Sequence, residues 1–199
     1  LIHGYRACVS YVDTLVGRLL DELDRLKLSD NTIVILWGDH GWKLGDYGAW
    51  CKHTNFELDT HVPLIVRSPG AAGNGRACHG LVEFVDIYPS LCDLAGIPLP
   101  AHLEGTSFAP LLKNPDGLGK EVALSQYPRG KLMGYSMRTD RYRLTTWVDR
   151  EDPKQVAAVE LYDHQEDPGE TANVAAKPEC AQIVAKLRVQ LTEHVPKLQ

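Results

Sequence analysis

None of the 5 cysteines, at positions 8, 51, 78, 92 and 180, stands in a Cys-x-x-Cys pair. Scattered and odd in number, they suit neither a disulfide framework nor a zinc site and read as buried free thiols. No apolar run approaches membrane-spanning length. Positive charge is not in excess. A formal net charge of -5 argues against a general nucleic-acid binder, although a single lysine in a cleft still acts locally on an anion. A Gly-x-Ser-x-Gly elbow is missing, so a Ser-His-Asp triad cannot be built on that signature. A Walker loop is missing too, because no Gly-Lys-Ser/Thr follows the glycines at 38, 41, 45 and 48. There are no internal repeats or low-complexity tracts. The start, Leu1-Ile2-His3-Gly4, has neither an initiator Met nor a signal-peptide pattern. The chain is therefore expected to be a piece of something longer, with its targeting information elsewhere.

What is present supports a folded α/β chain. The 199 residues are 44% hydrophobic, enough for one good domain or a domain with a small appendage. From about Tyr5 to Leu26, apolar residues at Val9, Val12, Val16, Leu19, Leu20, Leu23 and Leu26 predict a helix with one buried face. Ser29-Asp30-Asn31 turns the chain into Thr32–Trp37, a short apolar run that reads as a strand buried on both faces, half of a βαβ unit. A second such run follows at Val62–Val66. Leu81–Val85 predicts a short strand. Asp86 is a candidate N-cap for a helix through Leu91 and Leu94, which Gly96 and Pro98 stop. Leu103–Pro115 reads as irregular connection. The pattern then changes: Glu121–Tyr127, Leu132–Thr139, Tyr142–Trp147 and Glu160–Asp163 predict a small antiparallel sheet, and Pro178 opens a helix with Ile183, Val184, Leu187 and Leu191 on one side. Residues 1–118 are assigned to an α/β domain and residues 119–199 to a small α+β subdomain.

Chemistry concentrates between the two apolar runs, in Gly38-Asp39-His40-Gly41-Trp42-Lys43-Leu44-Gly45 and on through Lys52-His53. A loop leaving the carboxyl end of a strand is where α/β sheets keep their ligands. Asp39 and His40 can both reach one ion at a turn, or can be a turn cap and a packed histidine. The carboxylate suits calcium or magnesium, the imidazole zinc or manganese. Lys52 can bind a sulfate, phosphate or carboxylate as a point charge, or can be a solvated surface lysine. Trp42 can stack on a sugar, and Trp50 reads as packing. The four glycines suit a sharply turning loop that lets backbone approach a ligand.

In order and spacing, Gly38–Gly45, Gly48-Ala49-Trp50-Cys51-Lys52 and His61-Val62-Pro63-Leu64-Ile65 resemble the second signature region of the sulfatases, in the alkaline-phosphatase-like superfamily. The resemblance is nearest to the iduronate-2-sulfatase branch and its bacterial relatives. Val9–Asp13, Val16–Leu20, Ser125–Arg129, Met133–Thr139 and Glu160–Asp163 with Asp167–Thr171 extend it over nearly the whole chain. It implies part of a mixed or parallel sheet flanked by helices, followed by the small antiparallel sheet with one helix. It implies a sulfuric ester hydrolase acting on a sulfated sugar such as an iduronate 2-sulfate-type unit. In that reading Asp39 and His40 are ligands to calcium, with magnesium as the alternative. Lys52 is the catalytic lysine that holds the sulfate, and Trp42, His53 and Arg129 join it in binding substrate. The Cys/Ser-x-Pro-x-Arg motif that yields the formylglycine nucleophile is absent, since the sequences after Cys8, Cys51 and Cys78 do not fit it. The nucleophile is expected upstream of Leu1, and this chain alone is expected to turn over nothing. The resemblance further implies a sulfated carbohydrate partner, no nucleic acid, and a periplasmic, extracellular or lysosomal location. Contact with an upstream half, or self-association through open sheet edges, is also expected. Two alternatives stay open: a phosphate mono- or diester hydrolase of the same superfamily, and a non-catalytic chain without the nucleophile half.

Overall fold

The computed structural model describes residues 1–198. The chain forms two compact units, one of Leu1–Cys51, Val62–His79 and Val85–Gly117, the other of Lys52–His61, Gly80–Phe84 and Leu118–Gln199. Among the described residues no helix is long and apolar enough to cross a membrane.

In the first unit, helix α1 (Ile2–Arg25) leads into strand β1 (Val34–Trp37). A hairpin of β2 (Lys43–Leu44) and β3 (Trp50–Cys51) follows. Strand β1 pairs antiparallel with β4 (Leu64–Arg67), in register Val34 to Arg67 and Trp37 to Leu64. The expectation of strands buried on both faces is corrected here. Leu36, Trp37 and Ile65 are exposed, and no described residue of α1 is buried. The physical reason is layer count: a strand needs a packed layer on each face to be buried twice, and the side chains of this two-stranded ribbon are at most partly covered. The apolar side of α1 and the strand instead border an open groove of about 460 Å³ lined by Leu19, Leu20, Leu23, Ile33 and Ile35 among others. Helix α3 (Ile87–Ala95) ends at Gly96 in the left-handed region, at φ 67°. Asp86 does not cap it by a side-chain hydrogen bond; its carboxylate accepts the Thr106 N–H at 2.8 Å instead. A short helix, α4 (Ala109–Lys113), interrupts the stretch expected to be irregular.

The second unit holds the sheet of β5 (Ala123–Arg129), β6 (Leu132–Arg138), β7 (Tyr142–Asp149) and β8 (Val156–Asp163), all antiparallel in that order. Period-2 alternation divides its faces. Tyr135, Met137, Leu144, Val148 and Leu161 point to one side and pack with Leu187 and Leu191 of helix α5 (Ala181–His194). The opposite face carries Ser136, Arg143, Thr145 and Trp147, all buried as well. What covers it is the segment Lys52–His61, including the one-turn helix α2 (Glu57–Thr60). Leu81 forms only an isolated bridge, to Lys120, in place of the expected strand. The cysteines are free, but Cys8, Cys51 and Cys78 are exposed and only Cys92 is buried, which corrects the reading of them all as core thiols.

Candidate functional site

Strand β1 ends at Trp37, and the chain turns at Gly38, whose N–H donates to the Pro63 carbonyl at 3.1 Å. Asp39 and His40 follow. The His40 Nδ1 lies 2.9 Å from the Gly41 carbonyl, which calls for N–H at that nitrogen. Its Nε2 lies 3.3 Å from Asp39 Oδ2. The contact is an ion pair when the imidazole is protonated, and a carboxylate oxygen beside an unprotonated ring nitrogen, the donor set a cation takes, when it is neutral. Metal-bound histidines are held in this way, the second nitrogen donating to a backbone carbonyl. Asp39 is 84% exposed and His40 28%. The His40 ring stacks on Trp42 at 6.1 Å, and Trp42 stacks in turn on Tyr5 of α1 at 6.3 Å. Asp39, His40 and Trp42 thus form one cluster in the first unit.

Lys52, His53 and Arg129 belong to the second unit. Lys52 is half-buried and stands between two residues in the left-handed region, Cys51 at φ 69° and His53 at φ 83°. Neither is glycine, so this turn carries backbone strain of about 1 kcal/mol or more per residue. The His53 ring packs on Tyr127 at 5.6 Å. His53 and Arg129 border a small cavity of about 30 Å³ with Tyr127, Trp147 and Glu160. That is room for a water molecule and not for a sugar ring. Glu160 accepts the Trp147 Nε1–H at 3.1 Å, and burial pushes its carboxyl pKa up.

Sequence reasoning missed a buried ionic network beneath this segment. Arg143, 3% exposed, donates from Nε to Glu170 at 2.6 Å, from Nη2 to Thr60 at 3.0 Å, and also to Glu57. Glu170 accepts the Glu57 N–H at 2.7 Å and lies 2.9 Å from His164 Nε2. Glu57 further pairs with Arg138 at 3.4 Å and with His61 at 3.0 Å. Burial pushes the Glu57 pKa up, but the His61 hydrogen bond and the Arg143 and Arg138 charges outweigh it and hold the carboxyl down at about 2. Ligand atoms of Glu57, His164 and Glu170 all lie within 4.8 Å of one another. Both carboxylates already accept from Arg143, so a cation would have to displace a guanidinium, and the donor set does not suit one. The one signal in the sequence is an arginine placed mid-strand, next to the core residue Leu144.

Comparison with known proteins gives a consistent picture. Residues 45–197 match the family described as N-sulphoglucosamine sulphohydrolase, C-terminal, and residues 4–85 match type I phosphodiesterase / nucleotide pyrophosphatase. Iduronate 2-sulfatase of Mus musculus is 35% identical over 238 residues, covering 86% of this chain and 43% of the relative. A solved 2-O GAG sulfatase superposes with a TM-score of 0.80 at 30% identity, over 94% of this chain and 41% of the other. The phosphonate monoester hydrolase of Agrobacterium radiobacter superposes with a TM-score of 0.79 at 26% identity, over 94% of this chain and 40% of the other. The chain therefore spans less than half the length of these proteins.

Proposed function

Because this chain belongs to the sulfatase family, we propose that it supplies part of the metal site and part of the sulfate clamp of a sulfuric ester hydrolase. The proposed substrate is a sulfated sugar of the glycosaminoglycan type, with a 2-O-sulfated uronate unit as the first candidate. The observation that carries the reading is the Asp39–His40 pair, with its carbonyl-anchored imidazole and its Nε2 3.3 Å from the Asp39 carboxylate. A carboxylate oxygen and an imidazole nitrogen so placed fit a divalent cation, and calcium is proposed, with magnesium as the alternative. Such an ion, when bound, supplies Lewis-acid polarisation of a sulfate oxygen.

The chain's own residues do the rest of what is proposed for it. Lys52 places its ammonium on the sulfuryl oxygens and offsets charge there as the ester bond breaks. Trp42 offers an aromatic face to the sugar, and His53 and Arg129 add donors for its polar groups. The nucleophile, a formylglycine, is placed on residues before Leu1. A periplasmic, extracellular or lysosomal setting goes with that reading.

The test uses the complete enzyme and a panel of sulfated sugars beside phosphate and phosphonate monoesters. Lys52→Ala is expected to lower kcat/KM on a sulfate ester by a factor on the order of 10² to 10³. Asp39→Asn is expected to weaken calcium binding measured by titration calorimetry. Unchanged sulfate-ester turnover in Lys52→Ala would overturn the role given to that residue. A second reading, hydrolysis of phosphate or phosphonate esters, is favoured by the phosphodiesterase match over residues 4–85 and by the phosphonate hydrolase likeness. Faster turnover of the phosphorus esters than of every sulfate ester would establish it in place of the first.

A further inference from the structure

The turn at Lys52 does not hold itself. Two non-glycine residues in the left-handed region, Cys51 and His53, flank the lysine, and that conformation persists only where its surroundings enforce it. The enforcement lies in the residues that follow. The Asn55 amide donates to the Gly134 carbonyl of β6 at 3.1 Å, and Asn55 Oδ1 accepts the Ser125 hydroxyl of β5 at 3.3 Å. Gly134 leaves the space this requires, since a Cβ there would lie 2.8 Å from both Asn55 Nδ2 and the Trp147 ring. Two residues on, the backbone N–H of Glu57 is held by Glu170 at 2.7 Å, and the Glu57 carboxylate and the Thr60 hydroxyl are held by Arg143.

Glu170 is where these contacts meet. Its side chain is fully buried, and one oxygen takes the Glu57 amide while the other takes Arg143 Nε and faces His164. Glu170 itself sits at φ 52°, a second strained backbone position committed to the same contact. Two carboxylates, Glu57 and Glu170, are set against two guanidiniums, Arg138 and Arg143, so each of these charges has a partner of opposite sign. Removing the Glu170 charge leaves Arg143 with Glu57 as its carboxylate partner and loosens the start of α2, within the segment that Lys52 begins.

We propose that Glu170 is a positioning residue for Lys52, acting through Arg143 and the Glu57 backbone amide, an inference that rests on Lys52 holding the sulfate. Glu170 touches no reacting atom in this scheme. Its effect is on where the ammonium stands, and misplacement of a binding group by an ångström is enough to cost binding and rate.

The experiment compares Glu170→Gln and Thr60→Val with wild type in the complete enzyme. It measures KM and kcat on a sulfate ester, and the Kd of inorganic sulfate by titration calorimetry. Glu170→Gln is expected to raise KM and sulfate Kd together, roughly tenfold, with any fall in kcat accompanying that rise. Thr60→Val, which removes one neutral partner of Arg143 and keeps every charge, is expected to shift both in the same direction by about threefold, and it decides the matter alone if Glu170→Gln does not fold. Unchanged KM and Kd in folded enzyme, or a fall in kcat with KM unchanged as a lower active fraction would give, overturns the proposal. Lys52→Ala run alongside separates the two layers: if it leaves the sulfate Kd at the wild-type value, the role of Lys52 fails and the inference falls with it.

Discussion

Glu57 meets two opposed demands, burial that favours its neutral form and two guanidiniums with a histidine that favour its charge. The charges win, and the carboxyl titrates at about 2 against an ordinary 4.5. A folded-state pKa below the unfolded one means stability that is present above about pH 4.5 and drains away as pH falls toward 2. His61 runs the other way. The Glu57 hydrogen bond raises its pKa above 6.5, so its smaller contribution is full below that value and is lost as pH rises through the raised one. Glu57→Gln is therefore expected to destabilise the fold by roughly 3 kcal/mol at pH 5 to 6. The difference from wild type should shrink steadily in urea titrations taken down to pH 2.5. A pH-independent difference would mean that the lost contact is steric and not ionic. None of this was legible in the sequence, where Glu57 is one acid among many. Apart from His61 four residues on, its partners lie far along the chain, at Arg138, Arg143 and Glu170. By contrast Asp39 and His40 stood out at once, because adjacency after an apolar run is a local pattern and needs no folding to see.

Strands β5 to β8 show why period-2 reasoning reached the sheet and stopped short of its far side. Alternation in Tyr142–Asp149 separates Leu144 and Val148 from Arg143, Thr145 and Trp147, and the apolar set correctly implies a helix packed on one face. The polar set reads as solvent-facing, yet Arg143, Thr145 and Trp147 are all buried. The layer over them is not a regular element with a period of its own. It is Lys52–His61, an irregular segment with one helical turn, fixed by hydrogen bonds that periodicity cannot announce. That packing makes Gly134 sensitive. Gly134→Ala would drive a methyl against the Asn55 amide and the Trp147 ring at 2.8 Å, and overpacking of this kind costs about 1 to 3 kcal/mol. The apolar face follows the opposite rule. Leu161→Ala, fully buried beneath α5, should leave a cavity and cost roughly 2 to 5 kcal/mol. Thermal denaturation separates the two if each is measured with its partner change. Trimming Trp147 to Leu should relieve part of the Gly134→Ala cost, whereas no trimming restores what Leu161→Ala removes.

Across the whole molecule, apolar surface is distributed unevenly, and the imbalance has a consequence in solution. The second unit packs a core between sheet and helix, although Leu118 and Val189 stay exposed. The first exposes Val9, Val12, Leu19, Leu36, Trp37 and Ile65, and its groove along α1 is apolar. Helical spacing in α1 was legible because amphipathicity is written into one element, but what a stripe packs against is a property of the whole fold. Contiguous exposed apolar surface serves interaction or invites aggregation. The β1–β4 ribbon adds open strand edges, which template further pairing. We propose that in the isolated 199-residue chain this face pairs with a second copy. The isolated chain should then sediment as dimers or larger species at micromolar concentration and bind a hydrophobic dye. Leu19→Glu with Ile65→Lys, both at exposed positions, should shift it toward monomer while the stability of the β5–β8 sheet is retained. A chain that sediments as a single monomeric species before any substitution would show that α1 and the ribbon tolerate water as they are, and would remove the case for a partner on that face.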